Sequence, residues 1–170
     1  MFILGPATAP YETVRQALVR KKASALFIDT MFPCLWEAAL TEHVDPVGMV
    51  AQSAKETAWG RYTGVLAAGW MNTCGLKVRN PGTLGLTGDT DYERFAHQVF
   101  PSWEIGALAH AQHLVAYTGC QVPVGLVDPR FDLIAGRYHI QHFRELSGLW
   151  AASSSYGSSI ETLMADLSQG

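Results

Sequence analysis

The chain has 170 residues and a mass of 18.5 kDa, which suits one domain spanning 1–170. Hydrophobic residues make up 48% and charged residues 16%, ample for a core and far from the composition of a disordered segment. The formal net charge of −3 excludes the basic footprint of a nucleic-acid binder, and no apolar run reaches the roughly 18 residues that cross a bilayer.

Residues about 11–21 and about 28–41 carry helical patterning, the second through Met31, Leu35, Trp36, Ala39 and Leu40. Asp45-Pro46 reads as an N-cap followed by proline at the first helical position. Beyond it, Val47, Val50, Ala51, Ala54 and Ala58 form one apolar stripe, which Gly60 ends. Gly64, Gly69, Gly75, Gly82, Gly85 and Gly88, with Pro81, exclude a long helix over 61–100 and predict loops with a small hairpin. Ser102 caps a further helix, with Glu104 in the first turn where the helix dipole favours an anion. Its apolar repeat runs through Trp103, Ala107, His110, Leu114 and Tyr117 to Gly119. Asp128-Pro129 marks a turn, 151–159 a Ser-rich loop, and helices near 138–146 and 157–167 complete a mostly helical chain with one small β-rich insertion.

Cys34, Cys74 and Cys120 are odd in number and lack CxxC spacing, so they read as buried apolar thiols in a reduced compartment. His110 with His113, and His139 with His142, fall at i, i+3, a spacing that can hold a metal on a helix. His110, however, lies on the apolar stripe, no HExxH occurs, and no Cys or Asp completes a set. No metal and no cofactor is expected, and no G-x-S-x-G supports a serine nucleophile.

In Gln52-Ser53-Ala54-Lys55-Glu56-Thr57-Ala58-Trp59-Gly60, Glu56 points away from the apolar stripe. A solvated glutamate on a wet helix face is the ordinary reading. Two features oppose it. Glu56 occupies the last turn, at the negative end of the dipole, where a carboxyl pKa is expected to rise. Trp59 and Met49 share its face, which is therefore expected to form a groove wall. A carboxyl kept protonated near neutral pH by apolar neighbours is what a glycosidase needs in its general acid.

Residues 52–60 resemble the catalytic-helix motif of the peptidoglycan glucosaminidases of glycoside hydrolase family 73. Asn72-Thr73-Cys74-Gly75-Leu76-Lys77 is similar to that family's Asn-x-x-Gly-hydrophobic-Lys segment. Further similarities follow in order at Ile3-Leu4-Gly5-Pro6, at Arg94-Phe95, from Phe100 to Gly106, at Val127-Asp128-Pro129-Arg130, and from Trp150-Ala151 to Ser155-Tyr156-Gly157 and Ile160. They are those of a wall-lytic subgroup of bacteria and phages. The resemblance implies a mainly α (α+β) lysozyme-like fold, with a helical lobe, a small β-hairpin lobe and a cleft between them.

It also implies Glu56 as general acid. The family's second carboxylate in a Thr-x-Glu-Tyr hairpin has no direct counterpart; Gly88-Asp89-Thr90-Asp91-Tyr92-Glu93 stands there instead, making Asp89, Asp91 and Glu93 candidates, with Asp91 and Glu93 the expected catalytic carboxylates, while Asp89 and Asp91 read at least as well as turn caps. Inversion through a held water and assistance by the substrate's own 2-acetamido group both stay open. Trp59, Asn72, Tyr92, Trp150 and Tyr156 are the implied substrate-binding residues, Asn72 and Lys77 also being suited to holding the loop after the catalytic helix.

The implied activity is cleavage of the β-1,4 bond between N-acetylglucosamine and N-acetylmuramic acid. A muramidase or lytic transglycosylase acting on the same glycan is an alternative, and a non-catalytic glycan-binding or virion module is another. Peptidoglycan glycan strands are the expected partner, without nucleic acid or membrane insertion, and the chain is expected to be a monomer. No secretory leader is legible at the start, so the expectation is synthesis in the cytoplasm and action on the wall through phage lysis or as part of a virion.

Overall fold

Helix α1 (Tyr11–Arg20) turns Val14, Ala17 and Leu18 into the core and carries Glu12 in its first turn and Arg20 in its last, both matched to the dipole. The computed structural model describes residues 1–80, 82, 94–121 and 125–169. A π-helical turn, Phe27–Met31, runs directly into α2 (Phe32–Thr41), so the helix expected over 28–41 begins as a wider coil. Pro33 lies at this junction and cannot donate a ladder bond, which a local change of helical register accommodates.

Helix α3 (Pro46–Glu56) starts as expected, with Asp45 Oδ1 accepting from the Val47 amide at 3.0 Å and from the Thr8 amide at 3.2 Å. It ends two residues before the apolar stripe does. Thr57 donates its hydroxyl to the Ser53 carbonyl at 2.7 Å and accepts from the Gly60 amide at 3.0 Å. Ala58 and Trp59 then take left-handed φ values of 51° and 61°. Glu56 is therefore the final helical residue, at the mouth of a tight reversal.

Helix α4 (Trp103–Thr118) is capped by Ser102, whose hydroxyl accepts from the Ile105 amide at 3.3 Å, and stops at Gly119. The sequence predicts a single buried stripe, yet the structure buries every residue from Ala109 to Tyr117. Small residues explain this, because Gly106, Ala107, Ala109, Ala111 and Ala116 let neighbours close on all sides. A Cβ on Gly106 would overlap the Met71 carbonyl oxygen, so the loop after residue 70 lies directly against α4.

Helix α5 (Phe131–Ile134) is a single turn, and α6 (Tyr156–Ser168) packs on α3 and on a 3-10 turn, Phe143–Leu146. That turn is all that forms of the helix expected over 138–146. The chain before it is drawn into pairing with the N-terminus: Ile3 donates to the Gln141 carbonyl at 2.8 Å, Phe143 to the Met1 carbonyl at 3.0 Å, and Phe2 bridges His142 antiparallel. Phe27, Phe32, Leu35, Met49, Leu114, Phe143, Ile160 and Met164 are fully buried at the centre.

The protein is mainly helical, and β structure among the described residues consists of isolated bridges. In one of them Lys77 faces His97, flanked by Val78 donating to Ala96 and Gln98 donating to Leu76, each at 2.8 Å. The hairpin expected between these segments lies outside the described residues. Of the thiols expected to be buried, Cys74 is, Cys34 is half-buried and Cys120 is exposed.

Candidate active site

A cavity of about 580 Å³ opens where α3 ends. Glu56 lines it together with Val65 and Leu66, the turn Cys74-Gly75-Leu76-Lys77, His113 and Tyr117 from α4, Arg130, and the segment around Trp150.

The Glu56 carboxylate terminates a buried line of hydrogen bonds. Tyr156 donates its phenol to Glu56 Oε1 and accepts from Gln52 Nε2 at 3.0 Å. Gln52 Oε1 lies 3.1 Å from His110 Nε2, and His110 Nδ1 lies 3.1 Å from the Thr73 hydroxyl. Because the Gln52 amide nitrogen is committed to Tyr156, its oxygen is the acceptor, so His110 carries its proton on Nε2 and accepts from Thr73 at Nδ1. Every donor thus points the same way, Thr73 to His110 to Gln52 to Tyr156 to Glu56. Bonds aligned in this manner polarise one another.

Gln52, Thr73 and His110 are wholly buried and Tyr156 nearly so. Burial holds the His110 pKa down at about 3, with His113 nearby acting in the same direction, so the imidazole is neutral at physiological pH. Burial, and then the Glu56 charge, push the Tyr156 phenol well above its ordinary value, so it remains a donor. Burial, followed by Glu56, does the same to the Cys74 thiol, which leaves it unsuited to nucleophilic work.

Opposite Glu56, Asn72 builds the cavity wall from beneath. Its Oδ1 accepts from the amides of Cys74, Gly75 and Leu76 at 3.3, 2.9 and 3.1 Å. Its Nδ2 donates to the carbonyls of Leu76 at 2.8 Å and Gln98 at 2.9 Å. Gly75 tops this turn with φ of 76°, a conformation that favours glycine, and a Cβ there would lie 3.9 Å from Glu56 Oε2. A longer side chain at that point would stand over the carboxylate.

The other sequence candidates are placed as follows. Trp150 lines the cavity, with its ring 5.2 Å from that of His113 and 5.9 Å from that of Tyr117. Tyr156 and Asn72 sit behind the wall, and touch the cavity through Glu56 and through the 74–77 turn. Trp59 packs against the core, with its carbonyl accepting from the Ser24 amide at 3.0 Å, and Met49 is wholly buried. Neither is among the residues lining the cavity, so the groove wall beside Glu56 comes from 65–66, 74–77 and Trp150. Asp91, Tyr92 and Glu93 lie outside the described residues, as does Asp89. Among the described residues, no group of three or more His, Cys, Asp or Glu side chains could hold a metal ion, and no helix is long and apolar enough to cross a membrane.

Sequence reasoning attached no role to Gln52 and read His110 as a core histidine. The available signal was spacing: Gln52 is four residues before Glu56, hence on the same face of α3. It also passed over His113 with Asp128, whose side chains meet at 2.8 Å beside the cavity.

Residues 33–169 match the family described as Glucosaminidase: Mannosyl-glycoprotein endo-beta-N-acetylglucosaminidase. No curated protein and no solved structure was found to match the chain.

Proposed function

This chain belongs to the glucosaminidase family, glycoside hydrolases that act on peptidoglycan, and from that premise we propose that it is an endo-β-N-acetylglucosaminidase in which Glu56 is the general acid. The observation that carries the reading is a carboxylate at the wall of a sugar-sized cavity, held from behind by a one-directional buried donor chain.

Tyr156 donates to Glu56 Oε1, and the Glu56 carboxyl supplies the transferable proton. It passes to the glycosidic oxygen as the bond from that oxygen to the anomeric carbon breaks. Water completes the reaction at the anomeric carbon. In an inverting route Asp91 or Glu93 accepts its proton; in an assisted route the 2-acetamido oxygen attacks the anomeric carbon as the glycosidic oxygen leaves, and water then opens the oxazoline ring so formed. Tyr92 and Trp150 are the proposed ring contacts to the sugar faces, and Asn72 and Tyr156 serve by fixing the turn and the acid. Membership of a phage or bacterial wall-lytic subgroup is part of the same proposal, resting on the ordered motifs from Ile3 to Ile160.

The test is digestion of defined peptidoglycan with borohydride reduction and mass spectrometry of the new reducing end. N-acetylglucosamine there supports the proposal. N-acetylmuramic acid would make the chain a muramidase, and an anhydro end a lytic transglycosylase. Glu56→Gln is expected to lower wall lysis by roughly 100-fold or more while circular dichroism and Tm stay near those of the parent. A variant keeping half its activity removes Glu56 from the chemistry, and glycan binding without any lysis by the parent would favour a binding module.

A further inference from the structure

His113 faces the same cavity as Glu56. It lies on α4 one turn beyond His110, and it is almost sealed, at 6% exposure. Its Nδ1 is 2.8 Å from Asp128 Oδ2, and Asp128 is itself buried. The other Asp128 oxygen accepts from the Arg130 amide at 2.9 Å. The loop carrying Asp128 is pinned in turn by Gln112, whose Oε1 accepts from the amides of Val127 at 2.8 Å and Asp128 at 3.1 Å. A carboxylate only accepts, so the shared proton sits on His113 Nδ1, and neutral His113 keeps a lone pair on Nε2.

That lone pair has no partner among the described residues, and it is not a sealed orphan. The buried unpartnered side-chain atoms among them are Glu42 Oε2, Asp45 Oδ2 and Ser53 Oγ. Nε2 therefore reaches the cavity that His113 lines. The ring orientation is fixed by edge-to-face contact with Trp150 at 5.2 Å and with Tyr117 at 5.5 Å, both of them cavity residues. An oriented acceptor beside two aromatic rings suits a polar, ring-shaped ligand with apolar faces and outward N–H or O–H groups.

We propose that His113, fixed by Asp128, is a substrate-binding residue whose Nε2 accepts a hydrogen bond from an N–H or O–H of an N-acetylated amino sugar held against Trp150 and Tyr117. The inference rests on the glycan-cleaving reading of this cavity. Asp128 acts through His113 as a positioning residue.

Asp128→Asn provides the test. An amide at this point donates to Nδ1 in place of accepting from it, so the histidine proton moves to Nε2 and the acceptor facing the cavity becomes a donor. Binding is read in a Glu56→Gln background, where bound strands are not cut, by calorimetric titration with the β-1,4-linked tetramer of N-acetylglucosamine. Adding Asp128→Asn is expected to weaken binding roughly tenfold with an unchanged Tm, while nitrogen-15 spectra place the His113 proton on Nε2. Equal affinity with the proton moved overturns the proposal, as does a parent that does not bind the tetramer. If Asp128→Asn unfolds early, His113→Phe keeps a ring in place without the acceptor; the same tenfold loss supports the proposal and equal affinity overturns it. Reducing-end release by the wild type is scored separately. Its absence, with the tenfold effect intact, defeats hydrolysis and leaves the binding residue standing.

Discussion

His110 and His113 sit one turn apart on α4 and both lie against Trp150, yet their ring nitrogens meet different surroundings. Around His110 both ring nitrogens are taken by protein, water is excluded, and the ring is locked neutral. Around His113 one nitrogen is taken and the other opens to a cavity. The difference comes from what packs around each ring. Thr73, Gln52 and Tyr156 close over the first, whereas the second meets a loop and a pair of rings that leave a gap. The same residue type thereby becomes a fixed link in one region and a contact to an incoming molecule in the other.

The largest effect that would break this contrast is on stability. His110→Leu leaves the Gln52 Oε1 acceptor without a partner and the Thr73 hydroxyl with only the Gly106 carbonyl at 3.5 Å, and is expected to cost about 3 kcal/mol in urea unfolding. His113→Asn, which keeps a donor toward Asp128 Oδ2 and faces a space water can enter, is expected to cost about 1 kcal/mol. Equal losses would mean that the two environments are not distinct.

Next comes the end of the buried line. Tyr156→Phe keeps the ring and deletes the donor to Glu56 Oε1. Lytic rate is expected to fall roughly tenfold for about 1 kcal/mol of stability. An unchanged rate would show that the carboxylate needs no support from behind.

A smaller effect concerns pH. His110 has a pKa of about 3 in the folded protein against 6.5 ordinarily, so below 6.5 the unfolded chain takes a proton that the folded one refuses. Stability contributed by the neutral ring is full above 6.5 and declines as pH falls toward 3, by at most about 1.4 kcal/mol per pH unit. The decline should appear as the difference between the wild type and His110→Gln in unfolding midpoints measured from pH 6.5 to pH 5. Parallel profiles would count against a sealed ring.

The smallest effect has the opposite sign. Burial raises the Glu42 pKa above 4.5, so the folded state holds that proton more tightly and loses stability as pH rises from 4.5 until its own carboxyl ionises. Glu42→Gln should remove this contribution, giving a slightly higher Tm at neutral pH and no gain at pH 4.

Much of this arrangement is readable before any coordinates. Asp45-Pro46 with a regular apolar stripe specifies α3 because cap and period are local, and Glu56 falls at its end for the same reason. The 138–146 segment carries a helical pattern, yet its conformation is decided by pairing with residues 1–3, far away in sequence. Helical angles extended past Thr57 put Trp59 on the Glu56 face, but the helix has already stopped there. Small residues concealed the burial of α4: alanines fit any face, and the stripe of larger side chains marks only one of them. The line from Thr73 to Glu56 crosses three helices and a loop, a conjunction that no periodicity encodes.

Cys74 lies in the turn that lines the cavity together with Glu56, buried and with its thiol held protonated, while Cys120 is exposed. Alkylating reagents will therefore label Cys120 at once and Cys74 only when the turn tied down by Asn72 comes loose. The chain carries its own timer for local opening of the wall around Glu56, with an internal reference built in, and mass spectrometry can read both without adding a probe.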